Sequence, residues 1–205
     1  MMDDTRLPLG MKTLGELFYL LSGDFHAIKD LDPGETPLIS CGDTDNGLVG
    51  YYETAEEQIY QHTLTVAYNG QPLTAKMHLY GFGAKDDVAV LIPREAMHCP
   101  TLVFVCAALN SMRWRYSYGR KCFRAKLHRL RIYLPLTEGG DVDEEAIRLI
   151  VTKARYWPEI EKRFDGTFIE AKRQEIEKAL AKEARKKQAK HPPLIEEPEL
   201  ELELA

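Results

Sequence analysis

Residues Thr101 to Met112 read TLVFVCAALNSM, a segment apolar almost all the way round a helical projection. A helix without a polar face belongs in a core, so other parts of the chain have to cover it. Five runs before it are suited to do so, namely Pro37–Cys41, Leu48–Tyr52, Leu64–Tyr68, Ala75–Tyr80 and Val88–Ile92. They are short, rich in β-branched and aromatic residues, and punctuated by Gly, Asn, Asp and Pro, as strands are. A last strand, Leu130–Leu134, ends at Pro135. Leu14, Leu17, Phe18 and Leu21 recur at helical spacing and stop at Ser22-Gly23, which predicts an opening helix. The expected fold class is α/β of the α+β type: a mixed, mostly antiparallel sheet with packed helices, spanning residues 10–136.

Residues 141–190 have a different character. Asp141 or Asp143 is placed to cap a helix whose first turn carries Glu144 and Glu145. Ile147, Ile150, Val151 and Ala154 form its stripe, which Trp157-Pro158 interrupts. A second helix is expected from Phe168 to Lys190, with so thin an apolar seam that it needs a partner surface. This region reads as a helical arm for dimerisation or partner binding. Residues 191–205 hold five acids and no base, and read as a disordered tail.

Charge is distributed unevenly along the 205 residues. Residues 1–110 carry 6 Lys or Arg against 15 Asp or Glu, whereas Ser111–Pro135 carries eight bases and no acid. The chain is acidic overall, with a net charge of −5, so its distribution rather than its total bears on nucleic acid. No apolar run reaches the roughly 18 to 20 residues of a membrane span. MMDDTRLPLG lacks the basic-then-apolar pattern of a signal peptide, so a cytoplasmic location is the expectation. Cys41, Cys99, Cys106 and Cys122 form no metal-type spacing, and they are expected to be free thiols, mostly buried.

No catalytic constellation emerges. Gly81-Phe-Gly83 is too short for a phosphate loop. His191-Pro-Pro-Leu194 lacks both the acidic or Asn residue and the aromatic of an amino-methyltransferase motif. Asp165 and Glu170-Ala-Lys172 have the letters of a nuclease site but fall on or beside a predicted solvent helix. The six histidines are scattered without a neighbouring nucleophile, and the expectation is a non-enzyme with no cofactor or metal of its own.

Binding chemistry is better represented. The basic segment centres on RYSYGRK, Arg115 to Lys121. Arginine forks suit phosphates and guanine edges, Tyr118 adds a flat face and a hydroxyl, and Gly119 lets a backbone approach closely. Part of this charge can serve only to neutralise the acidic residues before it. The polar loop Ser40–Gly47, SCGDTDNG, is a second candidate, although Asn46-Gly47 and Asn69-Gly70 are also plain turn formers.

Taken in order, TLGELFYLLSG (13–23), GETPLISCGDTDNGLVGYYE (34–53), LTVAYNGQPLTAKMHLYGFGAKDDVAVLIP (64–93) and RYSYGRKCFRAKLHRLRIYLP (115–135) resemble the target recognition domain of restriction–modification specificity subunits. The resemblance is to type I specificity subunits and to related subunits of systems that combine cutting and methylation, and it covers about two thirds of the chain. It implies a non-catalytic module that reads double-stranded DNA and directs a methyltransferase or methylase–nuclease partner. S-adenosylmethionine would belong to that partner. It also implies DNA contacts from Ser40, Asp43, Thr44, Asp45, Asn46, Asn69, Lys85, Tyr118, Arg120 and Lys121, beside Arg115 and Gly119 of the basic segment. A full type I subunit has two recognition domains and this chain has one, which makes it resemble a half-subunit whose arm pairs with a second copy or with a methyltransferase. The runner-up is an interaction or assembly protein that keeps the fold without reading DNA.

Overall fold

The computed structural model describes residues 8–163 together with Glu177, Lys178, Leu180, Ala181, Lys182 and Arg185. In chain order the elements are β1 (Leu9–Thr13), α1 (Leu14–Leu17), β2 (Phe18–Ser22), β3 (Pro33–Ile39), β4 (Leu48–Tyr52), β5 (Thr63–Ala67), β6 (Ala75–His78), β7 (Gly83–Ala84) and β8 (Val88–Pro93). They continue with α2 (Cys99–Ser111), α3 (Arg124–His128), β9 (Arg131–Pro135), α4 (Glu144–Val151) and α5 (Trp157–Glu161). Mixed sheets with packed helices bear out the expected α+β class.

Three sheets form: β1-β9, a four-stranded β2-β8-β5-β6, and β4-β3-β7. All pairings are antiparallel except β3 with β7, where Leu38 and Ile39 run beside Gly83 and Ala84. The four-stranded sheet separates two apolar clusters. Leu64, Val66, Ala89 and Leu91 face the larger one, with Leu102, Val105 and Leu109 of α2, Leu127 of α3, and Ile132 and Leu134 of β9. Leu21, Val88, Val90 and Ile92 face the smaller one, with Ile39, Tyr60, Phe82 and Ala84.

This layering explains why the opening stretch is not the helix its spacing predicts. Thr13 and Glu16 close a capping box that starts α1, with Glu16 N donating to Thr13 Oγ1 at 3.3 Å and Thr13 N donating to Glu16 Oε2 at 2.6 Å. One turn later the chain becomes β2, paired along its length with β8. β2 is covered on both faces, Phe18 and Leu20 in one cluster and Leu21 in the other, so its apolar residues do not alternate. The spacing i, i+3, i+4, i+7 then arises without a helix.

Helix α2 is less enclosed than its composition suggests: Val103 and Phe104 are half-buried and Ala107 is exposed. Its Asn110 closes the edge of β6, accepting from Ala75 N at 3.0 Å and donating to Ala75 O at 2.9 Å. An edge strand thereby gains the amide pairing that a further strand would supply. At the other end of α2, Glu144 accepts from His98 N and from Thr101 Oγ1, both at 2.8 Å. Of the two cap residues expected for α4, Asp143 takes the role, accepting from Ala146 N at 2.9 Å. The segment assigned to the arm begins inside the larger cluster, because Ile147, Val151 and Trp157 are buried there. Pro158 sits in the first turn of α5, where its missing N–H costs nothing.

The helix expected from Phe168 to Lys190 and the tail 191–205 lie largely or wholly outside the described residues. The six described there are helical. Lys182 Nζ donates to Ser22 O at 3.3 Å and to Tyr60 Oη at 2.9 Å, and it pairs with Asp24. Lys178 Nζ reaches the carbonyls of Glu56 and Ile59 at 3.2 and 3.3 Å. No disulfide joins the four cysteines; Cys99 and Cys122 are buried and Cys41 and Cys106 half-buried. None of the described helices is long and apolar enough to cross a membrane.

Candidate nucleic-acid interface

Three segments far apart in sequence meet beside β3, β5 and α2: the loop Ser40–Gly47, the turn Asn69–Pro72, and the basic segment that begins at Arg113. Arg113 ties the first two to the third, with Nη2 3.4 Å from Asp43 Oδ2 and a hydrogen bond to Gln71 Oε1. Lys121 Nζ donates to Asn69 Oδ1 at 2.6 Å and stands 5.2 Å from the Tyr118 ring centroid. A Cβ at Gly70, whose φ is +62°, would come 3.2 Å from Cys41 O, so the turn sits close against the loop.

The loop is braced from several sides. Ser40 N donates to Gly47 O, and Gly47 N to Thr44 O, each at 2.8 Å. Asp45, Asn46 and Gly47 have φ of +48°, +53° and +82°, a left-handed run that Asp, Asn and Gly tolerate better than other residues. Asn46 Nδ2 donates to Met77 O at 3.0 Å and lies 3.2 Å from His78 Nδ1. Ser40 Oγ donates to Asp87 Oδ2 at 2.7 Å, and Lys76 Nζ to Gly42 O. Partial burial pushes the Lys76 ammonium below its ordinary range, yet the carbonyl beside it gives the charge a partner.

These bonds divide the expected contacts. Ser40 is buried and Asn46 is engaged with β6, while Asp43 answers Arg113. Thr44 and Asp45 are exposed, and their side chains make no hydrogen bond among the described residues. Asn69 and Lys121 hold each other. Lys85 leaves the same end of the parallel β3/β7 pair as Ser40, but its ammonium donates to His26 O at 2.6 Å. The backbone bonds between Ser117 and Arg120 make a tight turn with Tyr118-Gly119 at its tip. Tyr118 is 78% exposed, and a Cβ added at Gly119 meets nothing within 4 Å, so no protein atom requires glycine there.

Beyond the turn lies a cleft of about 410 Å³ lined by Arg115, Tyr116, Arg120, Lys126, Arg129, Leu130 and Arg131. Among the described residues none of these five cations has a carboxylate within ion-pair distance. Lys126 donates to Lys121 O at 3.3 Å and Arg129 Nε to Ala125 O at 3.2 Å, which orients both without neutralising either. Like charges gathered around one cleft repel each other, and an anion placed there relieves that cost. Sequence reasoning includes Lys126, Arg129 and Arg131 in the basic segment but does not single them out as contacts. The available signal is their spacing: 126 and 129 are one helical turn apart, and Arg131 is on the exposed face of β9.

This arrangement of sheets and helices is the fold of restriction–modification specificity subunits, which bears out the resemblance seen in the sequence. The S subunit of a type I restriction–modification system from M. genitalium superposes with a TM-score of 0.56 at 16% identity, over 74% of this chain and 39% of that one. The HsdS subunit from Thermoanaerobacter tengcongensis gives 0.54 at 15% identity, over 87% and 46%. A chain from a type I system studied for its complex assembly and conformational transition gives 0.55 at 17% identity, over 92% and 46%. In sequence, the chain is 26% identical over 133 residues to the specificity subunit S.BcgI of a type II restriction enzyme from Heyndrickxia coagulans, covering 64% of this chain and 39% of that protein. The chain thus spans less than half the length of each of these relatives. No protein-family model matches it.

Proposed function

We propose that the chain is a sequence-specific DNA recognition subunit of a restriction–modification complex, without catalytic groups of its own, that directs a methyltransferase or methylase–nuclease partner to its site. The observation that carries this reading is the cleft of five cations that have no carboxylate at ion-pair distance among the described residues, beside a braced polar loop held by Arg113 and a turn held by Lys121. Arginine and lysine in the cleft hold backbone phosphates and set the register, while groups on the loop and the Tyr118 tip meet base edges. Thr44 can donate to or accept from a base, and Asp45 can accept from a cytosine amino group. S-adenosylmethionine is held by the partner in this reading. The partner, or a second copy, docks on the arm, whose described part leaves Leu149, Ile150 and Tyr156 exposed.

Salt dependence tests this function. In the assembled complex, affinity for duplex DNA should fall by roughly a thousandfold between 50 and 200 mM salt if about six phosphates are neutralised. A nearly flat dependence would remove the cleft from the DNA surface and the reading with it.

A further inference from the structure

Trp114 is the most exposed large apolar side chain among the described residues, at 84%. The chain's other tryptophan, Trp157, is buried in the larger cluster at 6%. Tryptophan is highly buried on average and enriched at interfaces, because it joins a large apolar face to a single N–H donor. Nor is Trp114 on a loose loop. It is the middle residue of the turn Arg113–Arg115, in which Arg115 N donates to Met112 O at 3.0 Å and Tyr116 N to Arg113 O at 2.9 Å. Arg113 binds the polar loop on one side, and Arg115 lines the basic cleft on the other. Trp114 therefore stands at the junction of the two surfaces.

We propose that Trp114 packs its indole against the bases of duplex DNA, supplying apolar contact beside a loop whose Ser40, Asp43 and Asn46 side chains are already committed. This rests on the DNA-recognition reading above. Three features choose DNA over the apolar patch of a protein partner. Both sequence neighbours are arginines, no acid occurs from Ser111 to Pro135, and the cleft that Arg115 lines presents five cations with no carboxylate at ion-pair distance among the described residues. Of the loop, Ser40, Asp43 and Asn46 are bonded internally. An indole face needs no matching donor or acceptor; it reads base steps by their shape and ease of unstacking, or by a thymine methyl.

The test uses the full chain with sonicated mixed-sequence duplex DNA at low salt. Binding is followed by the anisotropy of labelled fragments, and tryptophan by emission and iodide quenching. In the free protein the solvent-exposed emission belongs to Trp114, with buried Trp157 as the internal reference. On binding, that emission should be quenched and Trp114 should lose its access to iodide. Trp114→Ala should lower affinity by about tenfold, within the range for one aromatic–base stack, and leave the salt slope unchanged because no charge is removed. Trp114→Phe should recover most of the loss. Binding with Trp114 still open to iodide overturns this inference and leaves DNA recognition standing. No binding at low salt overturns both.

Discussion

Ser40 Oγ donates a 2.7 Å hydrogen bond to Asp87 Oδ2, joining the residue after β3 to the loop that leads from β7 into β8. Ser40 is 7% exposed, and the other oxygen of Asp87 is buried with no hydrogen-bond partner among the described residues. The residue types that suggested base reading at Ser40 thus serve to fix the loop. Ser40→Ala should destabilise the protein by roughly 1–3 kcal/mol, the cost of depriving a buried acceptor of its donor. Urea denaturation would measure it. The ranking of DNA sequences bound by the folded variant should not change. A changed ranking with no loss of stability would return Ser40 to the reading surface.

The 2.6 Å bond from Lys121 to Asn69 predicts a different pairing of effects. Asn69 orients the ammonium over the Tyr118 tip, and so acts on DNA through Lys121. Lys121→Ala and Asn69→Ala should each weaken binding to all duplex sequences. The double variant should lose less than the sum of the two, as coupled neighbours do. A double-mutant cycle on DNA affinity checks this, and strict additivity would separate the two residues.

Arg129 and Arg131 extend the phosphate surface past the segment that stands out by eye. Changing both to Ala removes two cations that have no carboxylate partner among the described residues, so stability should change little. The slope of log affinity against log salt should become shallower by about 2. Circular dichroism confirms folding, and the salt titration gives the slope. An unchanged slope would place both arginines off the DNA path.

The strands were legible where a short run stood between turn formers, as in Leu48–Tyr52 and Val88–Ile92, because β-branched and aromatic residues so bounded leave few alternatives. Phe18–Ser22 was not, since a strand covered on both faces loses the alternation that identifies it. Gly83–Ala84 is too short to carry any pattern, and it exists because Ile39 runs beside it. At the candidate site, the charge of 113–131 showed in the sequence as a block without acids. The duties of Ser40, Asn46 and Lys85 did not. Their partners Asp87, Met77 and His26 lie 47, 31 and 59 residues away, and only the fold brings them together.

His78 connects the loop to the pH dependence of stability. It is fully buried on β6, with Nε2 2.9 Å from Thr65 Oγ1, Nδ1 3.2 Å from Asn46 Nδ2, and its ring 4.5 Å from that of Phe82. Burial first, and then the nearby Lys76 charge, pushes its pKa down to about 3. The unfolded imidazole titrates near 6.5, so below that pH the unfolded chain takes up a proton that the folded one refuses. The contribution is therefore fully present above about pH 6.5 and is lost as pH falls toward 3. From pH 7 to pH 5 the loss from this one group should be about 2 kcal/mol. His78→Gln keeps a polar side chain without the titration and should flatten the wild-type slope over that interval by the same amount. Denaturant titrations of both proteins at pH 5, 6 and 7 give the comparison. Parallel pH profiles for the two would mean that His78 takes up its proton in the folded chain at the same pH as in the unfolded one, and the bracing of Asn46 would then need a different hydrogen-bond assignment below that pH.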